Sequence, residues 1–168
     1  MSTNSSVKIL IVGNSGCGKS AFVHRHVSGN FLEHCDPNDN LAAELDWYNV
    51  KLSLTTTNTK IKFDIKFNAA IIMFDTLDMK SYQALSDWYE YVLSLGINKI
   101  AICATKVDQK FRVVGTKIIK KTYNIDRPLI YISSKSCYNF DKPFEYLLDL
   151  ESEFLVYQGE HFLKPVRR

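Results

Sequence analysis

Eight consecutive residues, Gly13-Asn14-Ser15-Gly16-Cys17-Gly18-Lys19-Ser20, carry the spacing G-x-x-x-x-G-K-S. A phosphate needs backbone N–H donors brought close around it, a cation, and a helix N-terminus aimed at it. Gly13 and Gly18 bracket a loop in which Ser15, Gly16, Cys17 and Gly18 can turn main-chain N–H groups inward. Lys19 can reach the β- and γ-phosphates of a nucleotide, and the Ser20 hydroxyl can coordinate Mg²⁺. The apolar run Val7-Lys8-Ile9-Leu10-Ile11-Val12 predicts a strand before the loop, and a helical pattern over Lys19–Ser28, ended by Gly29, follows it. That context turns the pattern into a P-loop.

A second group stands at the end of a later apolar run, Thr105-Lys106-Val107-Asp108. A carboxylate at Asp108 can accept from the N1–H and N2–H₂ of guanine, a pairing that adenine cannot make, while the Lys106 stem packs over the base. Farther on, Ser133-Ser134-Lys135 falls where backbone N–H groups can meet the guanine O6.

These groups need a rigid frame, and the chain supplies one. Short apolar runs at Val7–Val12 and at 69–74, 99–104 and 128–132 alternate with helical patterns, the signature of an α/β domain around a largely parallel sheet. Helices are predicted over 19–28, 81–95, 113–122 and 142–156, the last with Pro143 in its first turn. Residues 49–55 and 60–66 alternate apolar and polar, and predict a hairpin turning at 56–59.

Composition narrows the function classes. The 168 residues suit a single domain, and the net charge of +3 does not point to nucleic acid. Four cysteines without CxxC spacing and without a signal-like leader suggest an intracellular protein, in cytoplasm or nucleus. The apolar runs fall well short of a membrane span, and no lipidation signal supplies an anchor. A P-loop kinase would need clustered lid arginines, whereas Arg25, Arg112, Arg127, Arg167 and Arg168 are scattered.

Taken in order, these motifs resemble the small GTPases of the Ras superfamily, and within it the Ran branch. Residues 22–31 resemble its first helix, Ala70-Ile71-Ile72-Met73-Phe74-Asp75 its fourth strand, and Ser136-Cys137-Tyr138-Asn139-Phe140-Asp141-Lys142-Pro143-Phe144 the loop into its last helix. The resemblance implies a P-loop NTPase fold with three layers, bound GTP or GDP with Mg²⁺, a monomer, and transport receptors or GTPase regulators as partners. Thr105 stands where the family usually has asparagine, and Ser15 at a glycine of Ran.

The resemblance fails at the switches. No serine or threonine lies between Gly29 and Ser53, leaving Asp36 and Asp39, beside Pro37, as possible carboxylates of the metal shell. Residues 61–66 resemble the family's third strand, yet the next strand begins after only Phe67 and Asn68. The Asp-x-x-Gly, the glutamine that orients water and the second switch are missing. Because parallel neighbours need a crossover of a dozen or so residues, a remodelled sheet edge follows: either 60–66 runs antiparallel to the next strand, or part of it becomes the connector. Lys164-Pro165-Val166-Arg167-Arg168 replaces the acidic end of Ran. Binding of nucleotide is therefore expected, with weak or absent hydrolysis; the alternative is a pseudo-GTPase that acts as a decoy for regulators.

Overall fold

The computed structural model describes residues 6–36 and 40–149. Six strands form one sheet: β1 (Val7–Val12), β2 (Ala42–Trp47), β3 (Val50–Thr57), β4 (Ala69–Asp75), β5 (Ile100–Thr105) and β6 (Leu129–Tyr131). Their spatial order is β2-β3-β1-β4-β5-β6, with β2 antiparallel to β3 and every other pair parallel. The helices are α1 (Lys19–Ser28), α2 (Met79–Gln83), α3 (Leu85–Ser94), α4 (Thr116–Thr122) and α5 (Lys142–Leu147).

Successive side chains of a strand point to opposite faces, so the central strands need apolar residues at every position to be covered on both sides. In β1, Ile9 and Ile11 join Phe22 and Val23 of α1 and Phe144 and Leu147 of α5 in one core. Leu10 and Val12 face the other way, into a core with Leu85, Trp88 and Val92 of α3 and Ile119 of α4. The result is the expected three-layer P-loop NTPase architecture around a mainly parallel sheet. Among the described residues no helix is long and apolar enough to cross a membrane.

The predicted hairpin is misplaced. Its true arms are β2 and β3, joined by Tyr48 and Asn49 with Trp47 opposite Val50. Both turn residues have positive φ, 45° and 67°, as a two-residue type I′ turn requires. Asparagine tolerates that region, but without a glycine the turn signal is faint. Residues 60–66 are not a strand: neither antiparallel pairing nor a partial connector is found, and the whole segment serves as the connection. Ending β3 at Thr57 frees residues 58–68 to pass over β1, and the remodelling falls on this connection while β2 and β3 stay fully paired.

This strap, residues 58–68, lies against α3. Phe63 and Phe67 meet edge-on at 5.0 Å and pack on the α3 side of the sheet. Tyr91 donates to the Ile61 carbonyl at 2.6 Å. Asn68 then docks on Lys8 through two 2.8 Å hydrogen bonds, one in each direction, which sets the register in which β4 begins.

Three helices differ in their bounds from the sequence expectation. The pattern over 81–95 begins earlier, at Met79, with Asp78 capping it through the Lys80 N–H, and breaks at Ala84 into α2 and α3. Gly115 does not interrupt a helix from 113; it is the extended residue from which α4 starts, and Val114 is instead tied by its N–H to the Thr76 carbonyl. The last helix is described only as Lys142–Leu147, and the remainder of its predicted span lies outside the described residues from 150 onward.

His26 of α1 is stacked on Phe140 at 3.7 Å, and its side chain is only 4% exposed. Its Nε2 is buried without a hydrogen-bond partner. Desolvation lowers its pKa from 6.5 to about 4, against a smaller opposing effect of the Phe140 backbone. The unfolded chain therefore binds this proton more tightly, and the stability from the neutral ring, complete above about pH 6.5, is lost as the pH falls toward 4. Between pH 7.5 and pH 5 the loss is about 2 kcal/mol. Urea titrations of wild type and His26→Phe should show that extra acid sensitivity in the wild type alone; equal sensitivity would contradict it.

Candidate functional site

The loop leaves β1 pressed against β4. At Gly13 (φ 150°) an added Cβ would stand 2.3 Å from the Met73 carbonyl oxygen, so only glycine fits. Gly18 turns the chain into α1 with φ 98°. The first turn of α1 holds no acidic residue, leaving its N-terminal N–H groups and dipole to an anion.

Lys19 is 5% exposed, and its Nζ donates to the carbonyls of Gly13 at 2.8 Å and Asn14 at 2.9 Å. Burial lowers its pKa, with the nearby Cys17 opposing. A cation held at the mouth by neutral carbonyls is well placed to gain from an incoming anion. The Cys17 thiol is itself pushed up, first by burial, and lies in the core.

The far wall comes from the end of β5. The Thr105 hydroxyl lies 2.8 Å from the Cys17 carbonyl and 3.0 Å from that of Phe74, so it braces the phosphate loop against the sheet. Lys106 adopts φ 60°, a left-handed conformation that costs a non-glycine residue about 1–2 kcal/mol. The turn aims its ammonium at the Gly16 carbonyl (3.0 Å) and the Asp75 carboxylate (2.6 Å), joining loop, β4 and β5. Asp108 accepts from Ser133 Oγ at 2.6 Å and from Gln109 Nε2 at 3.0 Å. Each carboxylate oxygen has two lone pairs, so acceptor capacity remains for a guanine edge.

Gly16, Gly18, Lys19, Ser20, Thr105, Lys106, Asp108, Ser134 and Lys135 all line one cleft. Four expected residues do not. Ser15 lies on the exposed outer side of the loop, Gly13 sits beneath it, and the Cys17 side chain points into the core. Ser133 is fully buried and acts as a brace, donating to Asp108 and accepting from the Ser136 N–H at 3.0 Å. Asp36 does reach the cleft, whereas Pro37 and Asp39 lie outside the described residues.

Phe31, Leu32, Glu33 and Cys35 also line the cleft, with Ala21 and Gln109, and none of these is a sequence-predicted site residue. Glu33 pairs with Lys135 at 3.5 Å, and the same ammonium stands 6.0 Å from the Phe31 ring. The signal for Phe31, Leu32, Glu33 and Cys35 was weak because the segment has no periodic element of its own.

Among the described residues no three acidic, cysteine or histidine side chains form a metal cluster. Mg²⁺ beside phosphates needs only one or two protein oxygens, and Ser20 and Asp36 on the cleft wall fit that requirement. Gly13→Ala should lower stability by about 2–4 kcal/mol, because a backbone carbonyl cannot yield to the new methyl. Thermal unfolding unchanged from wild type would refute the packing described.

The strand order, the loop after β1 and the strand-end motif meet in one further observation: the Ras family model matches residues 8–151, most of the chain. The chain belongs to the Ras family of small GTP-binding proteins.

Proposed function

We propose that this chain is a Ran-like guanine nucleotide-binding protein that binds GTP or GDP with Mg²⁺ and hydrolyses GTP weakly or not at all. The observation that carries the reading is the composition of one cleft against that of the strap. The cleft gathers Lys19, Ser20, Lys106 and Asp108, while residues 58–68 contain neither glycine nor glutamine.

In this reading the loop N–H groups and Lys19 hold the β- and γ-phosphates, Asp108 selects guanine, and Ser134 and Lys135 face the O6 edge. Ser20 would hold Mg²⁺, which when bound would supply charge neutralisation beside the phosphates. Hydrolysis further needs a group that orients water at the γ-phosphate. The glutamines among the described residues are Gln83 in α2 and Gln109, and Gln109 is committed to Asp108 at the base end.

The link to nucleocytoplasmic transport rests on the resemblance of residues 136–144 to Ran. Transport receptors or GTPase regulators are the partners this implies, for a monomeric intracellular protein. The second reading is a decoy for regulators that does not depend on turnover. It is favoured by the strap, whose Ile61 carbonyl is tied to Tyr91 where a switch would have to move.

Purified protein should carry guanine nucleotide, and single-turnover GTP hydrolysis on the same sample should run below about 10⁻⁴ s⁻¹. Turnover at or above the rate of a conventional small GTPase would overturn the proposal. Asp108→Asn exchanges an acceptor for a donor and should weaken GDP about 100-fold, read by titration calorimetry. Equal affinity would remove Asp108 from the base site. Partners captured equally by wild type and Lys19→Ala would favour the decoy.

A further inference from the structure

We propose that Trp88 is a positioning residue for the phosphate loop, and that through it nucleotide retention depends on how residues 58–68 seat on α3. The inference rests on the nucleotide-binding reading above and concerns groups outside the cleft.

Trp88 is 6% exposed on α3, and its Nε1–H donates to Asn14 Oδ1 at 2.8 Å. An indole nitrogen only donates, so the Asn14 amide must present its oxygen to α3, which fixes the orientation of that side chain. The main-chain carbonyl of the same residue accepts from Lys19 Nζ at 2.9 Å and from the Cys17 N–H at 3.3 Å. Asn14 is thus held on one side by α3 and holds the phosphate lysine on the other. Further ties on the loop come from Thr105 at the end of β5 and from Lys106 just after it. Trp88 adds a tie from the α3 layer.

The strap reaches the same indole. Lys60 Nζ stands 5.8 Å from the Trp88 ring centroid, and Tyr91, edge-on to that ring at 5.8 Å, donates to the Ile61 carbonyl. Lys60, Trp88, Asn14 and Lys19 therefore form a continuous series of contacts from the segment between β3 and β4 to the phosphate-binding ammonium. A displaced strap removes a cation from the Trp88 ring and releases the Tyr91 hydroxyl from Ile61, loosening the packing around the buried hydrogen bond that orients Asn14. A phosphate loop that must be reordered around each incoming phosphate binds less tightly than one already set.

The test is the dissociation rate of a fluorescent GDP analogue from the full chain with Mg²⁺. Trp88→Phe keeps the ring and removes the donor, and should speed release about fivefold, the effect of one buried hydrogen bond. Asn14→Ala, on the loop itself, should do the same. The double variant should release no faster than either single one, because both remove the same contact. Lys60→Ala should speed release in wild type and have no effect in Trp88→Phe. A purely structural Trp88 would give additive effects on release and a lower melting temperature without this masking, and that result would overturn the inference. So would wild-type release rates in Trp88→Phe and Asn14→Ala. If Trp88→Phe does not fold, Asn14→Ala alone decides. Wild-type protein that binds no GDP overturns the nucleotide reading and this inference with it, whereas GDP binding with unaltered release overturns this inference alone.

Discussion

Everything in this molecule depends on taking the ammonium of Lys19 out of water without giving it a carboxylate. Two loop carbonyls satisfy it, and those carbonyls point correctly only because the loop is fastened from several directions. Gly13 lets the loop lie directly on β4, Thr105 and Lys106 hold the Cys17 and Gly16 carbonyls, and Trp88 holds Asn14. A buried charge without its hydrogen bonds is costly, so these ties and the cation support one another. The ties arrive from two directions, from β4 and the end of β5 in the plane of the sheet and from α3 in one of the layers that cover it.

The P-loop between β1 and α1 was legible in the chain because its signals are local. Glycine spacing, the lysine, the serine and the boundaries of β1 and α1 lie within a short stretch, and α1 ends where Gly29 says it must. Roles that arise from long-range contact were not legible in the same way. Thr105 reads as a departure from a guanine motif, yet its hydroxyl is a brace on the loop, which a threonine serves well. Ser133 reads as a base contact and proves to be a buried support for Asp108. Glu33 and Phe31 join the cleft only through tertiary folding, and no periodicity announces them.

The displaced hairpin has a physical lesson of its own. Both 49–55 and 60–66 alternate, and alternation alone cannot say which neighbour a strand will find. Topology decides: two strands parallel to β1, one on each side, demand a passage over it. Residues 58–68 are long enough for that passage if the turn moves to Tyr48 and Asn49. The alternating Phe63, Ile65 and Phe67 then do not pair with a strand, and the two phenylalanines cover the α3 side of the sheet instead. A segment with neither helix nor strand thus covers part of the core.

The two outer strands of the sheet are unlike its interior. β2 turns Glu44 and Asp46 to solvent beside its unpaired backbone, and β6 is three residues long. A foreign strand approaching β2 meets carboxylates that would have to be desolvated, and one approaching β6 finds almost no ladder to extend. The hairpin turn that frees the strap therefore also sets a charged border, and the sheet has built-in protection against growing by the addition of strands from other chains.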